Sequence, residues 1–287
     1  MSFIKRENWL AYVLVGPVLL FYAVIFVYPL LQMLLLSFQS YDFYTPPEFT
    51  GLDNYARLLG DRELLAKLGY TLFYWLIGPI TIAASFVTAL LLSKLNRGQA
   101  FFRSAFYGTS MAPMVALAVV FMYLFSPNHG IVNNVLTDLH LPAVEWLYEP
   151  LLAKTVVMSI FFFMNMGFYT ILFLSGILGV DQSLYAAASL DGAGRWRQVW
   201  HITLPQIRPV MIFATILMTI SIFQMYGQIV ILTKGGPFGS TETVFMYAMN
   251  KAFTDHQMGY AATIVVVLSA LLGLISYGIL KIGEEKE

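Results

Sequence analysis

Charge is absent from six long intervals of the chain: those between Glu7 and Asp42, Lys67 and Lys94, Arg103 and Asp138, Lys154 and Asp181, Arg208 and Lys234, and Asp255 and Lys281. A helix needs about 20 apolar residues to cross the hydrocarbon of a bilayer, and each interval supplies them. The pattern predicts six transmembrane helices, at about 10–35, 69–93, 104–125, 155–179, 209–232 and 259–280. Backbone N–H and C=O groups have no water partner in lipid, so these spans are expected to be helical. A barrel would need short segments of alternating hydrophobicity, and unbroken apolar runs such as Ile264–Leu268 argue against one. The expected fold class is all-α and polytopic, a single transmembrane domain over residues 1–287. The first interval is longer than a bilayer needs, so Leu34–Tyr41 is expected to emerge from it. The apolar stretch from Leu10 is too long for a cleavable signal and is followed by no small-residue cleavage pattern, so it reads as a retained helix.

Composition agrees with a bilayer as solvent. Hydrophobic residues make up 59% of the chain and charged residues 11%, against about 25% charged in soluble domains. The mean hydropathy is +0.72. Lys plus Arg number 16 and Asp plus Glu number 16, so there is no basic excess for a nucleic-acid backbone. With no cysteine, thiolate chemistry and disulfides are excluded. If the N-terminus is cytoplasmic, the inner segments hold Lys5, Arg6, Lys94, Arg97, Arg103, Arg195, Arg197, Arg208, Lys281 and Lys286. The outer ones hold Arg57, Arg62, Lys67, Lys154, Lys234 and Lys251. That excess favours both termini in the cytoplasm. Pro17, Pro29, Pro79 and Pro113 interrupt spans, and each removes a backbone donor and can kink its helix.

The spans hold no clear Asp, Glu, Lys or Arg. Ion-coupled carriers and proton pumps usually bury such groups along their path, which disfavours the alternative of a secondary carrier or channel for a small polar solute. No Gly-x-x-x-x-Gly-Lys-Ser/Thr phosphate loop is present, so no familiar ATP site is expected. His129, His140, His201 and His256 are scattered. No catalytic constellation and no metal site are expected, and the chain does not read as an enzyme.

One loop, 181–208, differs from the rest. Ser183 can cap a short alanine-rich helix over Leu184–Leu190. Asp191-Gly192 is a turn signal, because Gly accepts the left-handed conformation that ends a helix. A second helix is predicted from about Gly194 to Thr203, with Pro205 ending or re-angling it. In it Trp196, Val199, Trp200 and Thr203 recur at helical spacing, and Arg195, Arg197 and Gln198 lie elsewhere. Such a helix–turn–helix is either an interfacial amphipathic element, with Trp at headgroup level, or a docking element whose apolar face sets into a partner's groove.

The run Tyr185-Ala186-Ala187-Ala188-Ser189-Leu190-Asp191-Gly192-Ala193, followed by Ile202-Thr203-Leu204-Pro205 and Pro209, resembles the EAA loop of permease subunits in binding-protein-dependent ABC importers. The stretches Leu232–Val244, Ala252-Phe253 and Gly259–Ala262 are similar to the sugar-permease branch of that family, of maltose and glycerol-phosphate type. So is the opening pattern Pro17, Tyr28-Pro29, Ser37-Phe38 and Phe49–Tyr55. The resemblance covers nearly the whole chain. Ala186 stands where the family's loop usually has Glu, so the resemblance implies that a charged contact toward an ATPase is removed here and that coupling rests either on the other permease's loop or on Asp191, Arg195 and helix packing.

The resemblance implies a type I ABC importer permease fold, in the inner membrane of a prokaryote, with import of a sugar or sugar derivative. It implies four kinds of partner: a second permease subunit, two ATP-binding subunits carrying ATP and Mg, an extracytoplasmic solute-binding protein, and the lipid bilayer. It makes Tyr185, Ala186, Ala187, Ser189, Asp191, Gly192, Arg195, Trp196, Leu204 and Pro205 candidates for the ATPase-coupling loop. Among polar residues of the fourth and fifth spans, Asn165, Tyr169, Gln224, Tyr226 and Gln228 are candidates for a substrate cavity, since a sugar needs amides for its hydroxyls and aromatic faces for its C–H patches. Hydrogen bonding between helices would explain the same residues.

Overall fold

The structure, a computed structural model, describes residues 2–95 and 97–284, with side chains over 12–95 and 97–283. Lys286, one of the cations counted for orientation, lies outside the described residues, as do the side chains of Lys5 and Arg6. In chain order the helices are α1 (Ser2–Tyr22), α2 (Tyr28–Leu36), α3 (Asp53–Gly60), α4 (Arg62–Trp75), α5 (Ile77–Ser93), α6 (Gln99–Met111), α7 (Met114–Leu124) and α8 (Ile131–Asp138). They continue as α9 (Pro150–Leu178), α10 (Gln182–Leu190), α11 (Arg195–Gln198), α12 (Leu204–Gln206), α13 (Arg208–Phe223), α14 (Gly227–Leu232), α15 (Val244–Phe253) and α16 (Met258–Glu284). A two-stranded antiparallel hairpin, β1 (Gln39–Ser40) with β2 (Glu48–Phe49), lies between α2 and α3.

Five helical stretches are long and apolar enough to cross a membrane: Tyr12–Leu36, Arg62–Ser93, Pro150–Leu178, Arg208–Leu232 and Met258–Gly283. The third span differs from the single helix predicted over 104–125. It is the pair α6 and α7, bent by 90°. Pro113 is the cause. Its ring excludes a helical carbonyl four residues back, and it pushes Ala112 into extended backbone, φ −66° and ψ 138°. The same offset recurs. Pro79 stands four residues after Trp75, where α4 gives way to α5. Pro29 stands four after Ile25, inside a wide π-type turn over Ala23–Val27. Pro205 stands four after His201, inside a second such turn over Val199–Thr203. In the latter two the extra residue per turn absorbs the clash and the helix continues.

The chain packs as two compact units. The first comprises residues 1–62 and 248–270. Its junction is Ser37, whose carbonyl accepts from Asn54 Nδ2 (3.1 Å) and Thr263 Oγ1 (2.9 Å), and whose hydroxyl shares a hydrogen bond with Tyr55 OH (2.7 Å). Gly259 lets the backbone at Gln39 cross α16 directly; a Cβ there would run into the Gln39 carbonyl. Arg57 lies 4.0 Å over the Tyr260 ring and donates to Gln257 Oε1, while Tyr260 OH donates to Asp61 at 2.5 Å. The separated motifs Ser37-Phe38, Phe49–Tyr55 and Gly259–Ala262 thus converge on one junction.

The second unit comprises residues 63–247 and 271–287. Its axis is α9, 29 residues or about 43 Å long. α5 packs along it, with Phe86 edge-on to Phe173 at 6.0 Å and Ser85 Oγ donating to the Met166 carbonyl. α6 lies on it at Gly167, where a Cβ would meet the Phe106 carbonyl. The Phe168 N–H donates to Ser110 Oγ at 2.9 Å across the same contact. The core is built from Tyr74, Val157, Ile160, Phe173, Met218 and Ile222, all essentially inaccessible.

Candidate functional site

The loop between the fourth and fifth spans is ordered by local hydrogen bonds. Its first helix, α10, is capped by Asp181 and not by Ser183, as the sequence predicts. The Asp181 carboxylate accepts from the Ser183 N–H at 2.8 Å, and the helix opens at Gln182. That backbone hydrogen bond holds the Asp181 carboxyl below the usual carboxylate range. α10 ends as its sequence dictates. Gly192 adopts φ +75°, its N–H donates to Ser189 O, and the Ala193 N–H donates to Ala188 O at 2.9 Å. Gln198 ties the second helix to the first, donating to Ser189 Oγ (2.9 Å) and Ala193 O (3.0 Å). Tyr185 OH and Thr203 Oγ1 share a hydrogen bond of 2.9 Å, which closes the two-helix element.

The expected aromatic stripe is split by the wide turn over Val199–Thr203. Thr203 is buried and Val199 half-buried, whereas Trp196 and Trp200 are 75% and 64% exposed. Ala186, Ala187, Ser189, Asp191, Gly192, Arg195 and Pro205 are exposed, and Tyr185 and Leu204 half-buried. The structure therefore brings ten loop candidates into one rigid element that presents two tryptophans outward.

The fifth span breaks between α13 and α14. Gln224 (φ −91°, ψ 8°) ends α13 and Tyr226 (φ −144°, ψ −63°) precedes α14. α7 and α14 pack together, so the breaks of the third and fifth spans meet. At the meeting point Gly227 leaves room for the Met114 side chain. Of the cavity candidates, Gln224 is exposed, Gln228 is buried, and Tyr226 stands edge-on to Phe245 at 6.2 Å. Tyr169 is buried on α9. Asn165 turns its amide onto its own helix, donating to Phe161 O at 2.8 Å. The break gathers Gln224, Tyr226 and Gln228; Asn165 and Tyr169 lie on α9.

A second polar set was not read from the sequence. Lys67 on α4 is buried, pairs with Glu242 at 2.9 Å, and donates to the Gly239 carbonyl at 3.0 Å. Tyr74 OH donates to Thr241 O, the Val244 N–H donates to Thr71 Oγ1, and Thr243 Oγ1 donates to the Met225 carbonyl that the span break frees. The Gly235-Gly236-Pro237 loop is thereby clamped to α4. Four of its residues, Lys234, Gly235, Phe238 and Gly239, hold positive φ, and Phe238 at the tip is 98% exposed. Treating Lys67 as the edge of a charge-free interval hid this set. The signal was present: Leu64, Lys67, Thr71 and Tyr74 recur at helical spacing and share one buried face.

Broken spans that meet over polar side chains, and a two-helix projection between the fourth and fifth spans, suit the passage of a solute, and the fold defines a helical membrane permease. The sequence pattern of the family described as "binding-protein-dependent transport system inner membrane component" matches residues 80–284, and the chain belongs to that family. It is a transport subunit and not an enzyme. YesP of Bacillus subtilis is 31% identical over 281 residues, 95% of this chain and 90% of that one. The arabinooligosaccharides transport system permease protein AraP of Halalkalibacterium halodurans is 29% identical over 280 residues, 96% and 88% of the two chains. The fold matches that of a bacterial alginate ABC transporter, solved in complex with its alginate pentasaccharide-bound periplasmic protein. The TM-score is 0.86 at 19% identity, covering 98% of this chain and 96% of that one.

Proposed function

We propose that this chain forms half of the translocation path of an ATP-driven importer for a sugar or sugar derivative. A second permease subunit completes the path, two ATP-binding subunits supply the work with their own ATP and Mg, and an extracytoplasmic binding protein delivers the solute. The loop over 181–208 faces the cytoplasm, as do both termini, and it is the element the ATPases grip. The observation that carries this reading is the closed two-helix element, which projects Trp196 and Trp200 while Tyr185 and Thr203 tie it together. A rigid helix in a groove transmits displacement, and one two-state rearrangement is then biased by ATP at one end and by loaded binding protein at the other. The arabinooligosaccharide relative and the alginate importer support a carbohydrate solute.

The turn at Gly192 tests the coupling. No atom lies near the position a Cβ would occupy, so a substitution there acts through backbone conformation alone. Gly192→Val places a β-branched residue in the left-handed region, at a cost of roughly 1–2 kcal/mol or more. Gly192→Asn tolerates that conformation. Substrate-stimulated ATP hydrolysis and recovery of ATPase subunits in a detergent pull-down should fall for Val and persist for Asn. Normal transport in Gly192→Val would end the docking assignment.

The span break tests the substrate site. Gln224→Ala removes an exposed amide without disturbing a packed neighbour. Loss of one hydrogen bond to a sugar hydroxyl, about 1 kcal/mol, lowers apparent affinity about fivefold. Uptake titrated in proteoliposomes of the assembled transporter measures it, and an unchanged profile removes Gln224 from the path.

A further inference from the structure

A cleft of about 190 Å³ opens where the two-helix element rests on the ends of α5 and α9. Two cations line it from separate elements: Lys94 at the end of α5 and Arg195 at the start of α11. The lining also includes Gln182, together with Ser93, Tyr185 and Gln198, which are bonded to Leu90 O, Thr203 and the Ser189–Ala193 turn, while Leu90 and Leu178 give it an apolar wall. The loop's two carboxylates are not part of the lining. Asp181 is engaged at the α10 N-terminus and Asp191 sits at its other end. Among the described residues neither Lys94 nor Arg195 has a salt-bridge partner.

Lys94 and Arg195 are both exposed, and two cations lining one cleft raise the positive potential in it. An anion between them lowers it. The Arg195 guanidinium fork, the Lys94 ammonium and the Gln182 amide are donors of the kind that a phosphate group takes. Backbone N–H groups at a helix end are not needed, because Asp181 already occupies the cap.

We propose that this cleft binds a phosphate ester and thereby ties the end of α5 to the two-helix element. A phospholipid headgroup and a free phosphorylated metabolite share that chemistry. The cleft is lined in part by the loop that the ATPases are proposed to grip, so the test uses the chain without them.

The full chain in phosphatidylcholine nanodiscs tests it through intrinsic tryptophan fluorescence, since Trp196 adjoins Arg195 and Trp200 follows within the same element. One arm titrates inorganic phosphate and glycerol phosphate at constant ionic strength. The other replaces part of the lipid with phosphatidylglycerol. A saturable change in the first arm identifies a free ligand, a change only in the second identifies the headgroup, and either upholds the site. Lys94→Gln and Arg195→Gln should each weaken binding about tenfold, the weight of one charged hydrogen bond. Lys94→Arg and Arg195→Lys should retain it, which separates charge loss from misfolding. No saturable change in either arm, or a change that survives the double Gln variant, overturns the proposal.

Discussion

Lys67→Met is expected to destabilise the chain by about 3–5 kcal/mol, the cost of leaving a buried charge without its partner. Glu242 is only 10% exposed at its side chain and Lys67 only 7%, so water cannot replace the lost cation. Glu63 does not share the burden: it stands 3.8 Å away at 58% exposure, where an ion pair contributes at most about 1 kcal/mol. The damage should be local first. The Gly239 carbonyl loses its donor, and the loop carrying Phe238 loosens from α4. The double variant Lys67→Met/Glu242→Leu removes both charges and should recover most of the stability, because apolar replacements of a buried pair are often neutral or better. Thermal unfolding of the purified chain in detergent measures all three. If Lys67→Met melts with the parent, the clamp contributes nothing. If the double variant is as weak as the single, packing and not charge holds the loop.

Gly167→Val should be comparably severe, about 3 kcal/mol, for a steric reason. The helices α6 and α9 touch backbone to backbone there. A Cβ would run into the Phe106 carbonyl and crowd the Ser110 hydroxyl, which accepts from the Phe168 N–H. Backbone cannot rotate aside as a side chain does, so α6 must lift from α9 and carry the bent third span with it. Gly108→Ala on the same helix is the control. Nothing lies near its Cβ position, and removing a helical glycine should leave the melting temperature unchanged or raise it. Equal melting of Gly167→Val and the parent would mean that the two helices do not pack as described.

The spans were legible because lipid imposes a simple rule on charge, and that rule survives any tertiary detail. What the prolines do was only half legible. Pro29, Pro79, Pro113 and Pro205 mark where a helix must change, but whether the change is a wide turn or a 90° bend depends on what packs beside it. Pro113 bends fully because α7 has α14 to lie against. The two-helix element was legible at Gly192, where conformational demand is strict, and less so at its cap. Ser183 and Asp181 are both competent caps, and the choice between them is made by where the α9 end delivers the chain. Lys67 was missed for an instructive reason. A charge at the end of an apolar interval reads as the membrane edge, and only its partner, 175 positions away in sequence at Glu242, turns it into part of a buried clamp. Asn165 shows the converse: a polar residue in a span can be satisfied by its own helix.

The first apolar stretch, Tyr12–Leu36, has no residue buried by the rest of the chain. Its cohesion with the molecule is that of a tether and not of a core. A large-to-small exchange in α9 opens a void among neighbours that cannot close it, whereas the same exchange in this stretch only trims the oily girdle it offers to whatever surrounds it. Tolerance to mutation is therefore expected to be steeply graded across the five unbent spans, lowest in Pro150–Leu178 and highest in Tyr12–Leu36, even though their hydropathies all lie between 1.8 and 2.4.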